Sequence, residues 1–186
     1  IIIYGIASAM FYLHSNEILH RDLKPANILL NEYLFPKIAD FGLSKMNDKT
    51  SMASSVNGFK GTPIYMSPEI WKNSEYSAAS DVYAFAIILF ELMTYEKPFE
   101  HFYFWDIPLK IQDGYRPEFK KEIPESYRNL IVKCWANDAV KRPSFNDILI
   151  QLKSDRGFIT DNVNEKDFLN YIRYIDDYKV TFNSEN

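Results

Sequence analysis

Residues 82–90, VYAFAIILF, form an unbroken apolar run closed by Asp81 on one side and Glu91 on the other. A helix through 82–93 is apolar nearly all round, has no face to offer water, and must lie inside a packed body. It is too short for a bilayer, since nine residues rise only about 14 Å as a helix against a hydrocarbon layer about 30 Å thick. The rest of the chain is therefore read as what wraps that helix. The other apolar stretch, 1–13, carries Tyr4, Ser8 and Tyr12 and ends at His14-Ser15-Asn16, a helix stop followed by a polar turn. No basic stretch precedes it, so it reads as an amphipathic or buried helix and not as a secretory signal. It opens on Ile1-Ile2-Ile3 without a methionine, and the expectation is a helix whose start has been cut away.

Composition narrows the function classes. With 186 residues, 47% apolar and 25% charged, the chain suits one ordinary globular domain. A net charge of −4 argues against a nucleic-acid surface, which needs clustered Lys and Arg. The single cysteine, Cys134, cannot form an internal disulfide, so a reducing, cytoplasmic compartment is the simpler reading. Scattered beside His14, His20 and His101, it makes no zinc site and reads as a small buried hydrophobe.

Local patterning gives a mostly α body (α+β) with a small β element near one end. Two short strands are expected at 28–30 and 37–39, around Asn31-Glu32-Tyr33. From 42 to 61 hydroxyl and amide residues dominate, the mark of a solvated loop or a functional lid. Ser80-Asp81 reads as the N-cap of the central helix, and further helices are expected at 107–112, 125–135 and 144–152. Past Lys153 the composition turns polar, so 1–152 is taken as one domain and 153–186 as a tail with a short helix at 166–174. The aromatic cluster His101-Phe102-Tyr103-Phe104-Trp105 lacks interleaved Lys or Arg, which favours core packing or a partner-docking surface over base stacking.

The chemistry-bearing residues lie between 20 and 40. His20-Arg21-Asp22-Leu23-Lys24-Pro25-Ala26-Asn27 puts two oxygen-bearing side chains, Asp22 and Asn27, five residues apart on a loop entering the first strand. Asp40-Phe41-Gly42 follows the second strand, so an adjacent hairpin brings Asn27 and Asp40 side by side. Such hard oxygens suit Mg²⁺ bridging substrate phosphates and leave Asp22 free as an acceptor. Here the sequence resembles the protein kinases, with their H-R-D-L-x-x-x-N and D-F-G signatures.

The resemblance extends through Gly61-Thr62-Pro63-Ile64-Tyr65-Met66-Ser67-Pro68-Glu69, similar to the end of an activation segment, with Ser67 for the usual Ala. It continues at Asp81-Val82-Tyr83-Ala84-Phe85-Ala86, Cys134-Trp135 and Lys141-Arg142-Pro143. Five ordered motifs cover 1–152 and look most like the tyrosine-kinase-like group of Ser/Thr kinases. The resemblance implies ATP and Mg²⁺ as cofactors and a Ser or Thr of a protein substrate as acceptor. Asp22 would be the catalytic base, Lys24 would face the γ-phosphate, Asn27 and Asp40 would hold Mg²⁺, and Leu29 would pack on adenine. His20 and Phe41 would stack in the internal column. Asp81 would anchor the catalytic-loop backbone, and Glu69 would pair with Arg142. Arg21 and Lys45 would receive a phosphate carried by Thr50, Ser51, Ser54 or Ser55.

The six glycines, at 5, 42, 58, 61, 114 and 157, make no G-x-G-x-x-G, and no lysine precedes Lys24. The resemblance thus implies a large lobe alone, with the small lobe missing and expected upstream. Two functions follow: a fragment of an active Ser/Thr kinase, or a catalytically dead lobe used as a binding scaffold. Retention of Asp22, Lys24, Asn27 and Asp40 together favours the first.

Overall fold

The computed structural model describes residues 1–40, 45–46, 62–160 and 163–184, with side chains described outside 45–46 and 178–184. Helix α1 (Ile2–Ser15) leads into strand β1 (Ile18–Leu19). A 3-10 turn at Pro25–Asn27 is followed by strands β2 (Ile28–Leu30) and β3 (Pro36–Ile38), and then by β4 (Lys45–Met46). After a second 3-10 turn at Pro63–Tyr65 come α2 (Pro68–Asn73), α3 (Ala78–Thr94), α4 (Ile107–Gln112), α5 (Glu125–Cys134), α6 (Phe145–Ser154) and α7 (Glu165–Ser184).

Helix α3 is the centre. Every residue from 80 to 90 is buried, and Phe85, Ile87 and Leu89 expose nothing. Burying side chains of that size contributes about 1.5–3 kcal/mol each, which is why an all-apolar helix dictates the middle of the body. Its start lies earlier than Ser80-Asp81: Ser77 is the N-cap and donates its N–H to Ser80 Oγ at 3.2 Å. Ala78 and Ala79 favour helix and let the first turn form there, which leaves the Asp81 carboxylate to act across the fold. Helix α5 packs on α3, and α1 lies against α6 and β3. A reciprocal cap opens α6, with Asp147 N–H donating to Ser144 Oγ at 3.2 Å and Ser144 N–H to Asp147 Oδ2 at 3.0 Å.

Strands β2 and β3 form an antiparallel hairpin with Ile28 opposite Ile38, Leu29 opposite Lys37 and Leu30 opposite Pro36. Asn31 Oδ1 shapes the turn by accepting the N–H groups of Tyr33 (3.0 Å) and Phe35 (2.8 Å). The second strand thus begins one residue before the expected 37–39. A second antiparallel pair, β1 with β4, was not expected, because two-residue strands are too short to show alternation.

Helix α7 is longer than the expected 166–174, and it buries Phe168 and Tyr171 against Tyr4 of α1. In the aromatic cluster only Phe102 turns inward, onto Tyr115 at 4.9 Å. Tyr103 and Trp105 are more than four-fifths exposed, so core packing holds for one member alone. The architecture is a helical body with short β elements, the arrangement of a kinase large lobe.

Candidate active site

The loop joining β1 to β2 is held from below by α3. Asp81, fully inside the body, accepts the backbone N–H of Arg21 on Oδ1 and that of His20 on Oδ2, both at 2.9 Å. His14 Nε2–H, from the end of α1, donates to the same Oδ2 at 2.9 Å. A buried carboxylate supplied with three donors is satisfied and rigid, and here it fixes the turn from which Asp22 projects. Arg21 takes a left-handed φ of 69°, a conformation that costs a non-glycine residue about 1–3 kcal/mol and persists because its N–H is pinned.

Four donors converge on the Asp22 carboxylate. Lys24 Nζ donates to Oδ2 at 2.6 Å, with Asn27 Nδ2 at 3.4 Å from the same oxygen. Thr62 N–H donates to Oδ1 at 3.2 Å, and the Thr62 hydroxyl lies 3.5 Å from it. Lys24 Nζ also donates to Thr62 Oγ1 at 3.1 Å, so that hydroxyl lies beside the ammonium–carboxylate pair. The Asn27 amide group donates to the Asp22 carbonyl at 2.8 Å, which ties the two ends of the loop together.

Asp40 reaches the same neighbourhood through its backbone. Ala39 N–H donates to the Asn27 carbonyl at 2.8 Å. The fully buried His20 ring spans the gap: Nε2–H donates to the Ala39 carbonyl at 3.1 Å, and Nδ1 accepts the Asp22 N–H at 3.3 Å. One imidazole therefore links the backbone of Asp22 to that just before Asp40. Asp40 has a left-handed φ of 61° and an exposed side chain. Asp22, Lys24, Asn27 and Asp40 thus lie on one connected frame, and Leu29, 57% exposed on β2, borders it.

The donor set sets a limit on any metal. Among the described residues no group of three or more His, Cys, Asp or Glu could hold an ion. The Asn27 amide oxygen and the Asp40 carboxylate are two hard donors, too few for a protein cage. They suit a cation such as Mg²⁺ that keeps waters and takes its remaining ligands from phosphates.

Beside this frame, Arg142 and Glu69 form a two-pronged pair, Nη1 to Oε1 at 2.7 Å and Nη2 to Oε2 at 2.8 Å. Burial pushes the Glu69 carboxyl upward, but the hydrogen bonds and charge of Arg142 outweigh it and hold it below the ordinary value. Tyr65 OH donates to Glu91 Oε1 at 2.8 Å; burial raises the Glu91 carboxyl, with the Tyr65 bond opposing. His14 and the Tyr65–Glu91 pair went unnoticed in the sequence: the two members of each contact lie 67 and 26 residues apart, and nothing local marks them. Phe41, Thr50, Ser51, Ser54, Ser55 and the side chain of Lys45 lie outside the described residues.

Comparison with known proteins accords with this frame. A sequence model of the family described as protein tyrosine and serine/threonine kinase matches residues 1–152. In Dictyostelium discoideum, the protein named "Probable LIM domain-containing serine/threonine-protein kinase" is 40% identical over 161 residues, 87% of this chain and 24% of that protein. The RGS domain-containing serine/threonine-protein kinase A of the same organism is 43% identical over 150 residues, 81% of this chain and 13% of that protein. Its dual specificity protein kinase shkC is 38% identical over 148 residues, 76% of this chain and 29% of that protein. The chain spans less than a third of the length of each of these relatives. No helix among the described residues is long and apolar enough to cross a membrane. With a family match over residues 1–152 and relatives at 40% and 43% identity over most of its length, this chain belongs to the protein tyrosine and serine/threonine kinase family.

Proposed function

We propose that residues 1–152 are the large lobe of a Ser/Thr protein kinase, with 153–186 an appended tail, and that the protein carrying them transfers the γ-phosphate of ATP to a protein hydroxyl. The observation that supports this best is the Asp22 carboxylate paired with Lys24 Nζ at 2.6 Å and tied to Asn27 and Thr62, a base and a cation held side by side on one loop. Asp22 orients the substrate's hydroxyl and takes its proton as that oxygen attacks the γ-phosphorus and ADP leaves. Lys24 presents a positive charge where the transferring phosphoryl accumulates negative charge. Asn27 Oδ1 and the Asp40 carboxylate are the groups that would hold Mg²⁺, which when bound bridges and neutralises the nucleotide phosphates. Leu29 offers an exposed apolar face to the adenine ring. Lys24 together with Thr62 supports Ser or Thr as the acceptor, while the dual-specificity relative keeps tyrosine in view.

The test is phosphate transfer from radiolabelled MgATP to a generic protein by the full-length protein and its Asp22→Asn variant, followed by phosphoamino-acid analysis. The variant should stay folded and lose about 10²–10⁴-fold in rate, the usual worth of a positioned base. Label should appear on Ser or Thr. Equal rates in the two proteins would remove Asp22 from the reaction and leave the scaffold reading standing.

A further inference from the structure

Helix α7 lies beyond the 152 residues that the family match covers, yet it packs on the hairpin leading to Asp40. Phe35, in the β2–β3 turn, packs on Tyr171 with ring centres 4.5 Å apart and planes inclined at 50°, and lies 5.7 Å from Tyr174. Tyr171 and Phe168 also meet Tyr4 edge-on, at 6.2 and 5.9 Å. Gly5 is where the three elements converge: a Cβ there would fall inside contact distance of both Tyr171 Oη and Pro36 Cγ. Pro36 opens β3, and β3 runs straight to Ala39, whose N–H and carbonyl are taken by Asn27 and His20.

A two-stranded hairpin is marginal by itself and needs a packed face to hold its position. One side of this hairpin is tied to the Asp22 loop through Asn27 and His20. Its turn projects outward with Tyr33 and Leu34 exposed, and among the described residues Tyr171 and Tyr174 are the ring partners that Phe35 finds outside its own turn. We infer that α7 is a positioning brace for the nucleotide site, with the Phe35–Tyr171 ring contact and the Gly5 contact setting where the hairpin places Leu29 and the flanking Asn27 and Asp40. Tyr171 is thus a positioning residue acting through Phe35 and Pro36, at a distance from the phosphates. The inference rests on the proposed kinase reading for its consequence, but the mechanical link to the hairpin does not.

The experiment compares the full-length protein with its Tyr171→Ala and Phe35→Leu variants, and with Asp176→Asn as a control. Asp176 lies on the same helix and pairs with Lys153 of α6 at 2.8 Å, making no ring contact with Phe35. Hydrogen–deuterium exchange over residues 28–38 and the affinity for a fluorescent MgATP analogue are both read. Tyr171→Ala should speed exchange in the hairpin while α3 stays protected, and should weaken nucleotide binding about fivefold, the scale of one lost aromatic pair. Phe35→Leu, which removes the ring but keeps an apolar side chain, should act in the same direction and guards against a variant that fails to fold. In turnover the KM for ATP should rise more than kcat falls. Unchanged hairpin exchange in both variants would overturn the brace, as would faster exchange with unchanged nucleotide affinity. A control variant that loosens the hairpin equally would overturn it too. Wild-type protein that binds no MgATP would instead refute the kinase reading, with hairpin exchange still deciding whether α7 braces it.

Discussion

Replacing Arg142 by alanine probes how the segment bearing Thr62 and Glu69 is fastened to the body. The Arg142 side chain exposes nothing, and all of its donor nitrogens are engaged. Nε donates to the Ala136 carbonyl at 2.9 Å, Nη1 to Glu69 Oε1 at 2.7 Å and the Ala79 carbonyl at 2.9 Å, and Nη2 to Glu69 Oε2 at 2.8 Å and the Asn137 carbonyl at 3.4 Å. Truncation leaves Glu69, whose side chain is only 18% exposed, as a carboxylate with neutral donors alone, among them Ser80 Oγ at 3.0 Å. Breaking a buried pair from one side costs about 3–5 kcal/mol. With a urea slope of about 2 kcal/mol per molar, the midpoint of unfolding should fall by about 1.5–2.5 M. Arg142→Lys should fall between, since an ammonium cannot reproduce the fork. The pH dependence adds a sign. The folded-state Glu69 carboxyl is held below its ordinary 4.5, so the pair's contribution is present above 4.5 and lost as pH falls through the lower folded value. The gap between wild type and Arg142→Ala should therefore narrow below pH 4.5. A loss under about 1 kcal/mol at pH 7 would refute the reasoning, because it would mean the pair is no more than a surface contact.

Three further outcomes follow from particular side chains. Tyr83 is wholly buried beside the guanidinium groups of Arg116 and Arg142, 5.0 and 5.3 Å from its ring centre, and its hydroxyl has no hydrogen-bond partner among the described residues. Burial pushes that phenol up to about 12 against the pull of the two arginines. Tyr83→Phe should then stabilise by up to about 1 kcal/mol in thermal unfolding, and a clear loss would show that the hydroxyl is satisfied. Gly5→Ala gains about 1 kcal/mol of helix propensity but drives a methyl into Tyr171 and Pro36, an overpacking cost of about 1–3 kcal/mol. Its Tm should drop, and a Tm at or above wild type would contradict the close approach. Cys134 is buried with its thiol pushed up by burial, so iodoacetamide should label it only in denaturant. Labelling of the native protein would place it at the surface.

How much could be read from the sequence depended on how local each signal was. The central helix was legible because nine consecutive apolar residues admit one environment. Helix α4 was legible at both ends because Pro108 and Gly114 punctuate it. The loop residues Asp22, Lys24 and Asn27 were legible as a group because their spacing is fixed within one short segment. What stayed hidden was long-range. His14 meets Asp81 across 67 residues, and Tyr171 meets Phe35 across the whole body, so neither pattern leaves a trace nearby. Strand β4 escaped because two residues carry no period, and α7 was cut short because its exposed face reads as polar tail.

The central claim is that Asp22 and Asp40 serve one chemical site. Single-turnover rates of γ-phosphate transfer for the full-length protein, Asp22→Asn, Asp40→Asn and the double variant test it most directly. Groups acting as a unit are strongly non-additive, so the double variant should be scarcely slower than the slower single one. Losses that multiply, or a single variant with the wild-type rate, would contradict it.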